Sequence, residues 1–202
     1  MAIKFEYAPG ATPLAPDEAA GLIPDHITTH GQLNEWEAAN ILDGEKWAFS
    51  RKHNELLTIQ FMCLLHKKLF GDTWNWAGKF RTTAKNIGIE AGKIGPELRT
   101  LCDDVVYQIA HKSYGIDEMV ARFHHRLTWI HPFPNGNGRF SRTMADLLLV
   151  QSGAQRFSWG AGNLIAAGEV RHSYIESLHA ADAKDYRPLL DFIRSGQSVV
   201  SG

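Results

Sequence analysis

The residues best able to do chemistry lie together in one run, His131-Pro-Phe-Pro-Asn-Gly-Asn-Gly-Arg-Phe-Ser-Arg142. Two prolines and two glycines between Pro132 and Gly138 exclude regular helix or strand there. Met144, Leu147 and Leu148 then recur at helical spacing, so a helix is expected from Gly138 to Gln151. A glycine-rich loop that opens a helix leaves backbone N–H groups without helical partners, at the positive end of the helix dipole. Such a place suits phosphate. Arg139 and Arg142 share one face of the first turn, where cations are disfavoured unless an anion answers them, and guanidinium forks match phosphate oxygens. His131, at the entry to this positive field, should stay neutral and able to accept a proton. Base, cradle and cations together describe chemistry on a phosphate. A solvated Pro-Asn-Gly-Asn-Gly surface turn, with His131 capping the helix before it, is the competing reading of the same residues. The run is not a P-loop, because no Lys-Ser/Thr follows the glycines, and it lacks G-x-G-x-x-G.

The elements that must position this loop read as helices. Trp36, Ile41 and Trp47 suggest one from Asn34, its N-cap, to Phe49. Asn54 to Phe70 is apolar nearly all round and reads as a buried central helix. Pro96 to Ser113, Asp117 to Ile130, Asn163 to Ala183 and Tyr186 to Arg194 complete an all-α bundle. Between residues 78 and 93 the pattern breaks. Thr82, Thr83, Ile87 and Ile89 flank Ala84-Lys85-Asn86, and a short β-hairpin is the local expectation, with a wandering loop as the alternative. Residues 1–32 read as an irregular arm carrying Pro9, Pro13, Pro16 and Pro24, with 33–202 as one domain. Leu14, Leu22, Ile23 and Ile27 would lay the arm on the domain, and disorder competes for its first ten residues.

Composition narrows the class. The chain has 202 residues, 44% hydrophobic and 21% charged, with a net charge of −1, which excludes broad electrostatic binding of nucleic acid or membrane. Cys63 and Cys102 sit in apolar helical patterns and read as reduced core residues. Met1 to Tyr7 has no apolar signal core and no stretch spans a bilayer, so a cytoplasmic protein is expected. His124 and His125 lack a partner motif for metal; one is expected to pack and hydrogen-bond, the other to be exposed.

His131, Phe133, Gly136, Asn137, Gly138, Arg139 and Arg142 resemble the signature of the Fic/Doc family, His-x-Phe-x-(Asp/Glu)-(Gly/Ala)-Asn-(Gly/Lys)-Arg-x-x-Arg. Trp76 to Arg81 and the tail around Tyr174, Leu178 and Ala181 are similar to it too, and the whole looks closest to the mobile mystery protein B subgroup. The resemblance implies a Fic-like helical bundle and transfer of AMP from ATP to a Ser, Thr or Tyr hydroxyl of a target protein. His131 would be the base and Phe133 the anchor of the loop. Gly136, Asn137 and Gly138 would form the anion hole, and Arg139 and Arg142 would hold the phosphates. Glycine at 138 favours AMP transfer over the family's kinase branch, which carries Lys there. Thr83, Ala84, Lys85, Asn86, Ile87 and Gly88 would be the flap that docks an extended target segment by strand addition.

Asn135 stands where the family has an acid that holds Mg²⁺. An amide oxygen brings no net charge to a hard cation, so weakened metal binding is expected. The alternative is a weakly active or non-catalytic nucleotide-binding and partner-binding module on the same scaffold. A small helix-turn-helix partner is also implied. No glutamate fits the family's inhibitory pattern (Ser/Thr)-x-x-x-Glu-(Gly/Asn); Glu35, Glu37 and Glu176 come nearest by position, and none is expected to restrain the site.

Overall fold

The computed structural model describes residues 12–162, 164 and 168–196. Among the described residues eight α-helices succeed one another: α1 (Pro16–Ala19), α2 (His30–Phe49), α3 (Ile59–Phe70), α4 (Ile94–His111), α5 (Ile116–Ile130), α6 (Asn137–Gln151), α7 (Glu169–Asp182) and α8 (Arg187–Arg194). Short 3₁₀ turns stand at Ala91–Lys93 and Trp159–Ala161. The expected all-α bundle is what forms, with no sheet among the described residues. None of the described helices is long and apolar enough to cross a membrane.

Periodicity explains the packing. On α5, Val120, Phe123, Leu127 and Ile130 fall on one stripe, and on α6 Phe140, Met144, Leu147 and Leu148 do the same; all eight are buried. These stripes pack the two helices side by side, so the loop between them is held from both ends. From the other side α3 contributes Met62, Leu65, Leu69 and Phe70. Burying side chains of this size stabilises by about 1.5–3 kcal/mol each. Cys63 is half-buried and Cys102 buried, both as free thiols.

Several boundaries differ from the sequence expectation. Helix α2 starts at His30, because Thr29 and Gln32 form a capping box: Gln32 N–H donates to Thr29 Oγ1 at 3.2 Å and Thr29 N–H to Gln32 Oε1 at 3.1 Å. Helix α3 starts at Ile59, capped by Thr58, and residues 54–57 form turns instead. The hairpin expected within 78–93 has no strand ladder. Arg81 takes its place, its guanidinium donating to the carbonyls of Thr83, at 2.9 Å, and Ile89, so the segment folds around a side chain. Helix α7 begins at Glu169; Asn163, its expected start, lies outside the described residues, as do the readings made of residues 1–11.

The arm is strapped down. Ile23 N–H donates to Thr73 O and Asn75 N–H to Gly21 O, both at 2.9 Å, around an isolated antiparallel bridge between Leu22 and Trp74. Trp76 Nε1–H donates to Glu18 O at 2.9 Å, which pins α1 above the end of α3.

Candidate active site

Helix α5 ends at His131, whose backbone takes the left-handed conformation with φ 54°. A non-glycine residue there costs roughly 1–2 kcal/mol, and Pro132 and Pro134 prevent any return to helix. The turn throws the His131 side chain out of the α5 axis and into the loop. The ring is buried, its Nδ1 facing Thr128 O at 3.4 Å and its Nε2 facing Thr12 Oγ1 at 2.9 Å. With the proton on Nδ1, directed at the carbonyl, Nε2 is the acceptor and the Thr12 hydroxyl donates. Burial above all pushes the imidazole down to about 4; the Thr128 carbonyl works against this, and the charges of Arg81 and Lys85 add to it. The ring is therefore neutral near pH 7.

The loop is rigid for identifiable reasons. Phe133 is fully buried, stacked on His66 at 3.7 Å between centroids and edge-on to Phe140 at 5.0 Å. Asn137 bridges the turn: its Oδ1 accepts from Phe133 N–H at 2.9 Å and its Nδ2 donates to Phe133 O at 2.8 Å. Gly136 adopts φ 78°, and a Cβ there would meet the Phe70 ring at 2.6 Å. Helix α6 starts immediately after it. Its first backbone hydrogen bond runs from Phe140 N–H to Gly136 O, so the N–H groups of Asn137, Gly138 and Arg139 have no helical carbonyl to meet. This is the geometry an anion needs.

Two supports went unseen in the sequence. His66, fully buried on α3, receives Gly78 N–H on Nδ1 at 3.0 Å and donates from Nε2 to Asn135 O at 3.1 Å, and burial pushes its pKa to about 3. Arg81 donates from Nε to His131 O at 2.7 Å while its other nitrogens hold the carbonyls of Thr83 and Ile89, tying that segment to His131. Gly88 permits that closeness, since a Cβ on it would stand 2.6 Å from His131 Cβ.

The two arginines are brought to the first turn of α6, and each has a partner. Arg139 pairs with Glu37 of α2 at 2.7 Å and lies over the Phe70 ring, 4.8 Å from its centroid. Glu37 is buried and also accepts from Trp74 Nε1–H at 2.7 Å. The family's inhibitory glutamate is expected to be missing at Arg142; Glu37 pairs with the other motif arginine, Arg139. The helical spacing of the buried residues Leu33, Glu37, Asn40, Gly44 and Ala48 puts Glu37 on the inner face of α2. Arg142 lies over Tyr174, 5.8 Å from the ring centroid, and burial lowers its pKa while the tyrosine hydroxyl counters this. Tyr174 also meets His124 Nε2 at 3.0 Å. His125 bonds Asp182 at 2.8 Å. Both histidines are buried, so the expectation of one exposed ring fails: α7 and α8 cover the face that α5 alone would leave open.

Asn135 explains its own departure from the signature. Its Oδ1 accepts from Gly136 N–H at 2.6 Å and its Nδ2 donates to Thr12 O at 2.9 Å. A carboxylate could make the first bond and not the second. The residues present do not fit a Mg²⁺ ion, because this oxygen is turned into the loop and the nearby carboxylates Glu37 and Glu18 are ion-paired with Arg139 and Lys85. Among the described residues no group of three His, Cys, Asp or Glu gathers as a metal site.

Residues 56–149 match the model of the Fic/DOC family. The chain belongs to that family. It is 31% identical over 149 residues to the protein adenylyltransferase fic-1 of Caenorhabditis briggsae, covering 71% of this chain and 28% of that protein. The Fic domain thus spans little more than a quarter of the curated relative it matches. The N-terminal Fic domain of a VirB-translocated Bep effector from Bartonella quintana superposes with a TM-score of 0.70 at 16% identity, covering 88% of this chain and 91% of that one. The corresponding structure with bound ADP gives 0.68 at 17% identity, covering 84% and 86%. At such identities these structures carry the fold alone.

Proposed function

We propose that this Fic domain is a protein adenylyltransferase, transferring AMP from ATP to a hydroxyl on a protein. The observation that carries the reading is His131 Nε2, 2.9 Å from a hydroxyl, on the loop that opens into the unpaired N–H groups of α6. That distance is what a general base requires. His131 takes the acceptor proton. The α6 amides and Arg142 hold the phosphates, joined by Arg139 once it exchanges Glu37 for phosphate, and Phe133, His66 and Asn137 keep the loop in place. Relatives named protein adenylyltransferases and a Bartonella neighbour with ADP bound support ATP as the nucleotide. The proposed partner is a protein offering Ser, Thr or Tyr; the helix-turn-helix partner implied by the subgroup resemblance belongs to the same proposal. Mg²⁺ enters no step, since the side chains at the loop do not fit it.

A second reading is favoured by Asn135 and Glu37: with the acid missing and Arg139 occupied, the scaffold would bind nucleotide or partner without transfer. His131→Ala separates the two. Losing a general base costs about 10²–10⁴ in rate. Incorporation from α-phosphate-labelled ATP into lysate proteins should fall by that much, while ATP affinity by calorimetry stays near the parent's. Equal labelling by parent and variant would refute the assignment of the base.

A further inference from the structure

The hydroxyl on His131 belongs to the chain itself. Thr12 stands 119 residues from the base in sequence, yet its side chain is buried against it. Contacts from Asn135 and from Lys85 hold it there. Asn135 Nδ2 donates to Thr12 O at 2.9 Å. Lys85, at the centre of the flap, donates to Pro13 O at 3.3 Å and forms a buried ion pair with Glu18. Glu18 in turn accepts from Ala15 N–H at 2.7 Å, while Ala15 has extended backbone, φ −70° and ψ 158°. A non-helical segment is thus laid on the flap with one hydroxyl on the base, which is the arrangement a substrate peptide needs.

We propose that Thr12 is an acceptor for the group this site transfers, so that the chain adenylylates its own arm. The inference rests on the transferase reading above and adds the identity of one substrate. A packing contact alone would be met by any small side chain. Here the hydroxyl oxygen lies 2.9 Å from Nε2 of a ring whose other nitrogen faces a carbonyl at 3.4 Å, so with the proton on Nδ1 the hydroxyl is the donor. The phosphate side is equally close: the Asn135 amide spans Thr12 O on one side and Gly136 N–H on the other, so one side chain separates the acceptor residue from the start of α6. In the step, His131 Nε2 removes the Thr12 Oγ1 proton. The Oγ1–Pα bond forms as the bond from Pα to the bridging oxygen of the β-phosphate breaks. Pyrophosphate leaves, the proton passes from His131 to solvent, and Thr12 carries AMP as a phosphodiester.

The experiment uses the full chain with α-phosphate-labelled ATP, with and without lysate, followed by peptide mass spectrometry. The expected result is one AMP per chain, on Thr12, at a first-order rate that does not change when the protein is diluted. Thr12→Ser should keep the modification and Thr12→Ala should lose it, with unchanged thermal melting showing that the fold is intact. Label on lysate proteins with Thr12 unmodified would overturn this proposal and leave the transferase reading standing. No incorporation into chain or lysate, by parent or by Thr12→Ala, with ATP still bound by calorimetry, would overturn both. Label on the parent chain that persists undiminished in Thr12→Ala would overturn the acceptor assignment alone.

Discussion

Replacing Glu37 by glutamine should tighten ATP binding. Arg139 is one of two guanidiniums at the start of α6, and its Nη1 is held by Glu37 Oε2 at 2.7 Å, with the two side chains only 20% and 11% exposed. A phosphate that recruits Arg139 must displace or share that carboxylate. A charge-assisted hydrogen bond is worth about 1.5–3 kcal/mol, which corresponds to roughly tenfold to a hundredfold in affinity. Glutamine keeps an oxygen for Trp74 Nε1–H, now bonded to Glu37 Oε1 at 2.7 Å, so the α2 contact survives while the competing charge goes. Calorimetry of ATP against parent, Glu37→Gln, Arg139→Ala and the double variant measures the coupling as a cycle. The single Glu37→Gln variant should bind about tenfold tighter or better, and the gain should vanish when Arg139 is also alanine. Weaker ATP binding by Glu37→Gln would mean that the carboxylate orients Arg139 for phosphate instead of withholding it, and the competition argument would be lost. A gain that persists without Arg139 would trace to long-range charge.

Two further outcomes follow from the same site. Asn135→Asp replaces the donor to Thr12 O by an acceptor facing a carbonyl, so the arm should loosen: limited proteolysis within residues 12–20 should quicken, and unchanged cleavage would show that Lys85 and Glu18 hold the arm unaided. Acid should destabilise the fold, because burial pushes His66 and His124 down to about 3 and His131 to about 4. Their folded pKa values lie below the unfolded value, so the stability they leave intact above pH 6.5 is lost as the pH falls and the unfolded chain takes protons first. At pH 5 the sum over the three rings is on the order of 5 kcal/mol; equal urea midpoints at pH 7 and pH 5 would contradict it.

The loop, the helices on either side of it and the bundle were legible because glycine, proline and 3.6-residue periodicity are local signals. Phe133, Gly136, Asn137 and the two arginines do lie together at the head of α6. What stayed hidden depends on contacts between distant segments. The β-branched residues of 82–89 suggested a hairpin, but one buried arginine supplies the donors that a second strand would have given, and propensity cannot foresee a side chain standing in for a ladder. The burial of Glu37 had a signal: it falls on the stripe Leu33, Glu37, Asn40, Gly44, Ala48, where small and polar residues mark a close helix contact with α3. His66 lay inside an apolar run and was readable as core, though not as the post that carries Asn135 O. Thr12 had no local signal whatever. Nothing about a threonine in a proline-rich arm says that its hydroxyl will meet a histidine 119 residues away.

The same burial that keeps His131 neutral also makes it a weak base. An imidazole held at about 4 accepts a proton reluctantly near neutral pH, where a general base works best with a pKa close to the operating value. Burial is the largest cause, and the arm supplies part of it, since Thr12 covers Nε2. A nucleotide at the start of α6 acts in the opposite sense. Its phosphates bring negative charge next to the ring, offset the repulsion from Arg81 and Lys85, and favour the imidazolium that proton transfer creates. Under the proposed transfer, base strength would therefore rise when the phosphates arrive, with the group to be transferred in place. The arm, the flap lysine and the α6 amides act on one equilibrium, the protonation of Nε2. On that reading the Thr12 hydroxyl would meet its strongest base only once nucleotide is bound.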